Sequence, residues 1–211
     1  MDFQSKDDQK ELMLDTAQYL FSVRGFEGVS LRDIALESGI ANSLVSYYFK
    51  GRSHLVSLVC LRYAEAIRDE RLRLLKKADE SPSLDSYLTA YLMYALMMCR
   101  SSCFGGINYA RLMFRMRQEK KDISKEVIEH YVLPVSMKYY DKIHQLLGTR
   151  KKKDIIWMNH MMDSMFYSLL GKYTQELPDI DFVMSDLPEK FLQEGVQIMK
   201  SMLLFSSPIK V

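Results

Sequence analysis

The sequence predicts an all-α fold of about nine helices, in which an N-terminal helix-turn-helix precedes a larger helical domain. Hydrophobic residues make up 48% of the 211-residue chain, a share that can fill a sizeable core and argues against disorder. Glycine and proline number only 9 and 5, and long stretches contain neither, which disfavours a β architecture with many turns. Apolar residues recur at helical spacing through most of the chain.

The first helix is predicted over residues 8–24. Asp8 and Glu11 have the spacing of a capping box, and apolar residues then form a stripe along one side of the segment. Gly25 stands in the position that commonly ends a helix. These signals place the end of the first helix a few residues before Ser30.

The strongest local pattern lies between residues 30 and 55. Ser30 and Asp33 have the spacing of a capping box, which starts a helix. Gly39 would end that helix, because glycine tolerates the left-handed backbone of a tight reversal. A second short helix comes next and is predicted to be capped by Asn42. Two short helices joined by a turn that contains glycine indicate a helix-turn-helix, although an ordinary helical hairpin would give the same pattern.

The residue identities go further than the pattern. The order I-A-x-x-S-G-I is followed by L-V-S-Y-Y-F-K-G-R, directly after an amphipathic helix that ends in RGFEGVS. This stretch, about residues 8–56, resembles the DNA-binding domain of the TetR family of bacterial transcriptional regulators, without an evident gap. Tyr47, Tyr48, Phe49 and Arg52 are part of the resemblance. It implies a helix-turn-helix DNA-binding domain over residues 1–56 and a helical ligand-binding and dimerisation domain over 57–211.

The resemblance also implies which residues contact DNA. The second short helix would enter the major groove with its N-terminal residues nearest the bases, where Asn42 can form two hydrogen bonds to adenine. Arg32 stands where family members often contact guanine, and Arg52 suits a phosphate. Family helices often have T-L-Y where this chain has L-V-S at 44–46, so one common DNA contact is missing. The predicted DNA-binding residues are Ser30, Arg32, Asn42, Ser43, Ser46, Tyr47, Tyr48 and Arg52, with a place in the core as the alternative for Tyr48.

The charge of the chain is a weaker indication. The formal net charge of +2 is too small to indicate a nucleic-acid partner by itself, and the first 56 residues hold six lysines and arginines against eight carboxylates. DNA binding therefore requires that the charges separate by face. We expect Arg32, Lys50 and Arg52 to flank the recognition helix, and Asp7 and Asp8 to lie at the far start of the first helix.

The remaining predicted helices are marked by proline and by capping residues. The helix that begins near Arg52 has no break and would join the DNA-binding domain rigidly to the C-terminal domain. Ser81 precedes a helix with proline in its first turn, and Asp186 with Glu189 has the spacing of a capping box. Pro134 is expected to kink a helix, because it lacks an N–H and clashes with the preceding turn. The predicted ranges are 52–77, 82–101, 107–118, a helix that starts at Asp122 or Ser124 and reaches 147, 154–175 and 187–205.

The resemblance implies that the last two helices form the surface of a homodimer. Small residues on one face allow close helix contact and large neighbours supply buried area, although a tight core within one chain would look similar. The candidate dimer residues are Trp157, Met161, Ser164, Ser168, Gly171, Phe191, Gly195 and Met202.

A ligand cavity among the helices of the C-terminal domain is likewise implied by the resemblance. Its aromatic and methionine lining would suit an apolar or aromatic ligand, whereas the same stripe would form plain core if no cavity exists. Ligand binding would shift the dimer away from the spacing of about 34–36 Å between successive major grooves. The candidate residues are Tyr91, Met97, Met98, Asn108, Tyr109, Met113, His130, Tyr131, His160 and Met165.

Other classes of protein find little support in the sequence. There is no glycine-rich phosphate loop, no metal-spaced cluster and no nucleophile with a helper, so neither an enzyme nor a cofactor is predicted. The polar N-terminus and the lack of a long apolar run argue against export or a membrane span. Cys60, Cys99 and Cys103 fit a reduced cytoplasm, with a redox or metal pair at 99 and 103 as the alternative.

The sequence therefore predicts a cytoplasmic, homodimeric repressor that binds a pseudo-palindromic operator and is released by a small ligand. Two alternatives remain open at this level. One is a ligand-independent DNA-binding or interaction module, such as an activator. The other is a helical enzyme with a vestigial helix-turn-helix.

Overall fold

The computed structural model describes residues 6–99, 104–148, 180–205 and five isolated positions between 153 and 164. Within these ranges the chain is helical and has no strand, which confirms the predicted all-α class. None of the described helices is long and apolar enough to cross a membrane. The elements are α1 (Lys6–Arg24), α2 (Leu31–Ser38), α3 (Asn42–Tyr48), α4 (Arg52–Leu61), α5 (Ala64–Ala78), α6 (Leu84–Cys99), α7 (Gly106–Glu119), α8 (Lys121–Val127), a π-helical turn (Ile128–Val132), α9 (Leu133–Leu147) and α10 (Ile180–Phe205).

Helices α1, α2 and α3 pack around a common apolar core. Met13 and Phe21 of α1, Ile34 of α2 and Val45 of α3 are all fully buried. Phe26, which lies just after α1, packs on Phe21 with ring centroids 5.2 Å apart. Helices as short as α2 and α3 are marginal in isolation, so the burial of these apolar faces is what stabilises them.

The predicted start and end of α2 are confirmed. The Ser30 hydroxyl accepts the Asp33 backbone N–H at 3.2 Å, and the Asp33 carboxylate accepts the Ser30 backbone N–H at 2.7 Å, so both halves of the capping box are present. Gly39 comes directly after α2 with φ +68°, a left-handed conformation that glycine adopts without strain. This turn directs the chain from α2 into α3.

Two other predicted caps are wrong. Helix α1 begins at Lys6, so Asp8 lies inside its first turns and Glu11 pairs with Arg62 instead. Helix α3 begins at Asn42 itself, and no side chain caps it. The direction from which the chain enters a helix decides its start, and the residue pattern alone does not contain that direction.

The predicted unbroken helix over 52–77 is interrupted. Tyr63, with φ −113° and ψ 3°, separates α4 from α5. Its ring packs edge-on against Tyr109 of α7 with centroids 4.9 Å apart, while Arg62 forms ion pairs with Glu11 and Asp15 of α1. These tertiary contacts stabilise the break, so the joint between the N-terminal helices and the rest of the chain is not a single rigid rod.

A π-helical turn lies shortly before Pro134, where the sequence predicts a kink. The Leu133 N–H bonds to the Ile128 carbonyl, five residues back, just before the proline that cannot donate. Helix α6 begins at Leu84, where Ser83 and Ser86 bond reciprocally through hydroxyl and backbone N–H, rather than at Ser81. Helix α10 begins at Ile180, so the predicted start at 187 is also wrong.

Helix α6 is the centre of the C-terminal helices, since it contacts α5, α7, α9 and α10. Its Tyr91 is buried and stacks edge-on with Tyr139 of α9, whose hydroxyl donates to the Arg71 carbonyl at 2.8 Å. The Arg71 side chain is buried beside these rings, with its guanidinium 4.4 Å from the Tyr94 ring centroid. Tyrosine edges and hydroxyls thus provide a polar environment within an otherwise apolar core.

Candidate nucleic-acid interface and ligand cavity

Helix α3 presents a polar face to solvent and an apolar face to the core. Asn42, Ser43, Ser46 and Tyr47 are exposed, and Tyr47 retains 74% of its accessible surface. Val45 points the other way and is fully buried. Because α3 has this one-sided burial, its exposed residues form a continuous polar ridge, as the sequence predicts for a recognition helix.

Helix α2 adds a basic group beside this ridge. Arg32 is exposed in the first turn of α2, near Ser30, which caps the helix. The capping box holds the first turn of α2 in place, so the Arg32 backbone is fixed while its side chain extends into solvent. This is the placement that a contact with a base edge or a phosphate requires.

Tyr48 lies between the exposed face and the core. Its side chain is half-buried, its ring stands edge-on to Tyr47 with centroids 5.4 Å apart, and its hydroxyl donates to the Lys6 carbonyl at 3.2 Å. This contact places the start of α1 beside the end of α3. The expectation that Asp7 and Asp8 lie far from the recognition helix is therefore wrong.

Arg52 is predicted to contact phosphate, but its guanidinium is engaged inside the protein. Nε donates to the Val29 carbonyl at 2.8 Å, and Nη2 donates to the Phe26 carbonyl. Nη2 also lies 3.8 Å from the Glu27 carboxylate. Because these bonds hold the connection between α1 and α2, we assign Arg52 to the support of the helix-turn-helix.

Acidic side chains of the N-terminal helices are paired with basic residues of the same chain. Arg62 binds Glu11 and also Asp15, whose carboxylate lies 2.6 Å from Nη1. An ion pair and hydrogen bond from Lys120 lower the pKa of the Glu27 carboxyl. These contacts compensate carboxylates that would otherwise repel a phosphate backbone.

A carboxylate nearer α3 is engaged by the capping box, through hydrogen bonds rather than an ion pair. Hydrogen bonds from the Ser30 hydroxyl and backbone lower the pKa of Asp33. The exposed basic residues of this region are Lys6, Arg24, Arg32 and Lys50. Ion pairs thus compensate Glu11, Asp15 and Glu27, while these basic groups remain accessible.

Comparison with known proteins agrees with this geometry. Residues 13–59, which include all of α2 and α3, match the family model described as bacterial regulatory proteins, tetR family. Over these residues the chain carries the N-terminal domain of the TetR family. The match covers the helix-turn-helix and its supporting helices, which are the elements on which the predicted resemblance also rests.

Two curated relatives share this N-terminal region. The chain is 40% identical over 52 residues to the probable HTH-type transcriptional regulator YttP of Bacillus subtilis (strain 168), which is 23% of this chain and 25% of that protein. It is 31% identical over 87 residues to the uncharacterized HTH-type transcriptional regulator YfiR of the same organism, or 41% of this chain and 40% of that protein. The chain thus matches less than half the length of either relative.

Solved structures extend the likeness of fold to nearly the whole chain. FadR of Bacillus subtilis, in complex with stearoyl-CoA, has a TM-score of 0.62 at 14% identity, over 92% of this chain and 98% of that one. FadR of Bacillus halodurans has a TM-score of 0.62 at 13% identity, over 97% and 98%. A TetR-like regulator of Rhodococcus sp. RHA1 has a TM-score of 0.58 at 15% identity, over 95% and 96%. Likeness at these identities establishes the fold alone.

Outside the helix-turn-helix, the chain contains a cavity of about 60 Å³ between α7, α8, the π-helical turn and α9. Its walls are mostly apolar, with polar groups at one side. Arg71 lies behind that side and donates to the Ser136 hydroxyl at 2.9 Å and to the Val132 carbonyl at 3.3 Å. The lining residues are Met113, Met116, Arg117, Val127, Ile128, Val132, Leu133, Ser136, Tyr140 and His160.

Only some of the predicted ligand residues line this cavity. Met113 and His160 line the cavity. Tyr109 is buried elsewhere, where its hydroxyl donates to the Cys60 carbonyl at 2.6 Å. His130 is exposed, with Nδ1 3.0 Å from the Glu126 carbonyl. Met165 lies outside the described residues. Tyr91, Met97 and Met98 belong to the core or pack against it, and Asn108 and Tyr131 are partly exposed; none of these five lines the cavity.

Sequence reasoning did not find most of this cavity. Its lining comes largely from the end of α8, the π-helical turn and the start of α9, and includes Val127 and Ser136. Apolar residues in short helices are indistinguishable from ordinary core by pattern. Only the proline at 134 indicates a local irregularity, and π-helical turns are frequent at functional sites.

Two of the predicted dimer residues on α10 pack against their own chain. Gly195 is buried against α6, and a Cβ there would lie 3.0 Å from Leu92. Met202 is also packed against the core of its own chain. The apolar residues that α10 exposes are instead Ile198 and Leu204, at 46% and 50% of their accessible surface.

Of the other predicted dimer residues, Phe191 is on α10 and the rest come before α10 in the chain. Trp157 is 65% exposed, and Ser164 is exposed with its hydroxyl donating to the His160 carbonyl at 2.8 Å. The large exposed indole is compatible with an interface that a single chain leaves open. Met161, Ser168, Gly171 and the side chain of Phe191 lie outside the described residues.

Proposed function

We propose that this chain is a transcriptional regulator that binds a pseudo-palindromic operator as a homodimer, and that a small ligand releases it. The observation that carries the proposal is the exposed polar ridge of α3, supported at its side by the accessible Arg32. The expected contacts are Arg32 to guanine or phosphate, Asn42 to adenine, and the Tyr47 hydroxyl to phosphate. The proposed division is a DNA-binding domain over 1–56 and a ligand-binding and dimerisation domain over 57–211.

A dimer is proposed because one short recognition helix contacts few base pairs. Two copies related by a two-fold axis would read two half-sites and so gain specificity. Trp157, Ile198 and Leu204 are large apolar residues that the single chain exposes. Their exposure supports an interface that combines α10 with the segment around residue 157.

The proposed ligand is an apolar molecule that occupies the cavity beside α7. The volume of about 60 Å³ is well below the ~300 Å³ of a typical small-molecule site. Met113 and Met116 have unbranched, adaptable side chains, so the wall they form can repack around a larger guest. The FadR of Bacillus subtilis binds stearoyl-CoA, and its likeness of fold makes acyl chains reasonable first candidates.

The small volume also supports a second candidate function. A cavity that its own side chains nearly fill is what a ligand-independent DNA-binding module would have. In that case the chain would act constitutively, as a repressor or an activator. The proposed ligand response is therefore tested separately from DNA binding.

DNA binding is tested with the purified full-length protein and the intergenic DNA beside its own gene, across a salt series. We expect specific binding that persists near physiological salt and that Arg32→Ala weakens by about 1–3 kcal/mol at one base position. Tyr47→Phe should weaken binding for all sequences alike. Lys76→Ala, which removes an exposed positive charge from α5, is the matched control and should leave the dissociation constant unchanged.

Two results would contradict the proposal. One is binding that is equally strong on scrambled DNA and collapses with salt, because phosphate contacts alone behave in this way. The other is an Arg32→Ala variant that binds with the affinity of the unsubstituted protein.

Ligand release is tested by adding stearoyl-CoA, stearate or decanoate to the preformed complex with DNA. We expect at least one acyl chain to weaken DNA binding, and we expect Val127→Phe, which fills the cavity, to abolish that response. If no acyl compound binds the protein by calorimetry, the ligand-independent alternative is preferred.

A further inference from the structure

The contacts between the C-terminal end of α7 and the chain that leaves α1 carry an inference beyond DNA and ligand binding. Arg115 Nε donates to the Ser22 carbonyl at 2.8 Å, and Nη2 donates to the Val23 carbonyl at 3.0 Å. Carbonyls in the last turn of a helix have no acceptor role within that helix, so a side chain from elsewhere can bind them. One turn further along α7, Glu119 accepts the Phe26 backbone N–H at 2.8 Å and lies 3.1 Å from Arg115 Nη1.

We call this pair of side chains, Arg115 and Glu119, the α7 clamp. Gly25 allows its close approach, because a Cβ there would lie 3.1 Å from Arg115 Nη1 and 3.2 Å from a Glu119 oxygen. The φ of +78° at Gly25 also favours glycine. Lys120 adds an ion pair to Glu27 on the same connection. The chain between α1 and α2 is therefore held at several points by α7.

The same connection is held from its other side by the start of α4. Arg52 binds the carbonyls of Phe26 and Val29, and α2 begins directly afterwards at its Ser30 cap. Phe26 is thus bound through its N–H by the α7 clamp and through its carbonyl by Arg52. A displacement of α7 would reach α2 and α4, which lie on either side of the recognition helix in the chain.

The α7 clamp lies on the same helix as two residues that line the cavity. Met113 and Met116 line the cavity, and Arg115 stands between them in the sequence. Helix α7 has no break from Gly106 to Glu119. Because a packed helix moves as a unit, a guest that pushes on its methionine side chains would shift the α7 clamp with them.

We propose that Arg115 and Glu119 are positioning residues that couple the occupancy of the cavity to the orientation of the helix-turn-helix. This coupling rests on the proposed function, since it presupposes that the chain binds DNA. Neither side chain contacts DNA or the guest. Arg115 holds the last turn of α1 and the Glu119 carboxylate, and Glu119 holds Phe26 in the connection that leads to α2.

The test uses the full-length protein, with Val127→Phe as a permanent guest in the cavity. Two quantities are measured: the dissociation constant for the intergenic DNA, and the rate of amide hydrogen exchange in peptides that contain Phe26. Both are measured in the otherwise unchanged protein and in the R115A/E119A background. Glu65→Ala, which removes an exposed ion pair with Arg68 on α5, is the matched control background.

In the unchanged protein, we expect filling of the cavity to weaken DNA binding about tenfold and to speed exchange at Phe26, as the loss of one or two hydrogen bonds would do. In R115A/E119A the same filling should change neither quantity, whereas the Glu65→Ala background should respond like the unchanged protein. Glu119→Gln keeps an oxygen that can accept the Phe26 N–H, so it should retain the response. If the α7 clamp were only structural, filling the cavity would have the same effect in R115A/E119A as in the unchanged protein.

A response of equal size in R115A/E119A would overturn the inference, and so would unchanged exchange at Phe26 when the cavity of the otherwise unsubstituted protein is filled. If Val127→Phe does not fold, Val127→Leu serves as the smaller filler. Failure of the unsubstituted protein to bind DNA specifically would instead contradict the proposed function. The exchange measurement would still decide the inference in that case.

Discussion

Substitution of Arg52 by alanine distinguishes the role that the sequence suggests from the role that the structure indicates. A phosphate contact would affect only DNA binding, whereas bonds to the Val29 and Phe26 carbonyls would stabilise the folded chain. A hydrogen bond to a charged group contributes about 1.5–3 kcal/mol. The Arg52 side chain is 31% exposed, so solvent screening reduces this contribution. For the two bonds together we expect Arg52→Ala to lower the free energy of unfolding by about 2 kcal/mol.

The assay is urea unfolding monitored by far-ultraviolet circular dichroism, beside DNA binding across a salt series. Arg52→Lys should lower the free energy of unfolding about half as much as Arg52→Ala does, because an ammonium on a flexible stem does not reproduce the planar fork that reaches both carbonyls. Lys50→Ala is the matched control, since its side chain is exposed two residues away. It should leave the free energy of unfolding within about 0.5 kcal/mol and lower the salt dependence of DNA binding by about one counterion. The reasoning is refuted if Arg52→Ala behaves like Lys50→Ala in both assays.

Three other parts of the molecule give predictions of their own. Ser30→Ala should lower the free energy of unfolding by about 1 kcal/mol. Hydrogen bonds from Ser30 lower the pKa of Asp33 in the folded chain. The loss of stability in the variant should therefore be greatest above the usual carboxyl pKa and should shrink as the pH falls below it. A difference that grows in acid would contradict that sign. Gly195→Leu should lower the midpoint of thermal unfolding, because the new side chain would overpack against Leu92. Ile198→Asp should shift the proposed dimer to monomer in sedimentation. If Gly195→Leu instead dissociated the dimer and Ile198→Asp did not, Gly195 would belong to the dimer surface. Burial raises the pKa of Cys60 to about 12, so its thiol should resist iodoacetamide at pH 8 in the native protein and react in denaturant, as mass spectrometry of its peptide would measure.

The features that local sequence determined are those whose partners lie within a few residues. Ser30 and Asp33 are three positions apart, and their capping box is formed as predicted. Gly39 and Gly25 take the left-handed conformation that ends a helix, and a π-helical turn lies shortly before Pro134, where the sequence predicts a kink. In each case the physical cause is a backbone restriction or a hydrogen bond within one helical turn, which a short pattern contains in full.

The recognition helix was also predictable from sequence, for a similar reason. The order of apolar and polar residues over 42–48 already separates the face that Val45 buries from the face that Ser43 and Tyr47 expose. The family resemblance added the expected partner of that face. Together they predicted the candidate nucleic-acid interface, except for the role of Arg52.

Features that depend on distant partners required the tertiary structure. The sequence position of Arg52 suggests a phosphate contact, whereas in the structure its guanidinium binds the carbonyl of Phe26, 26 residues earlier in the chain. Gly195 has the composition of a dimer contact, but it is Leu92 of the same chain that fills the space opposite. Glu119 and Phe26 are separated by 93 residues, and no sequence pattern connects them. The sequence by itself determined the all-α class, the capped start of α2 and the face proposed to meet DNA, because these depend on periodicity and local bonds. The pairing of helices decided which charged and small residues stay accessible, because that depends on three-dimensional neighbours that the order of residues does not contain.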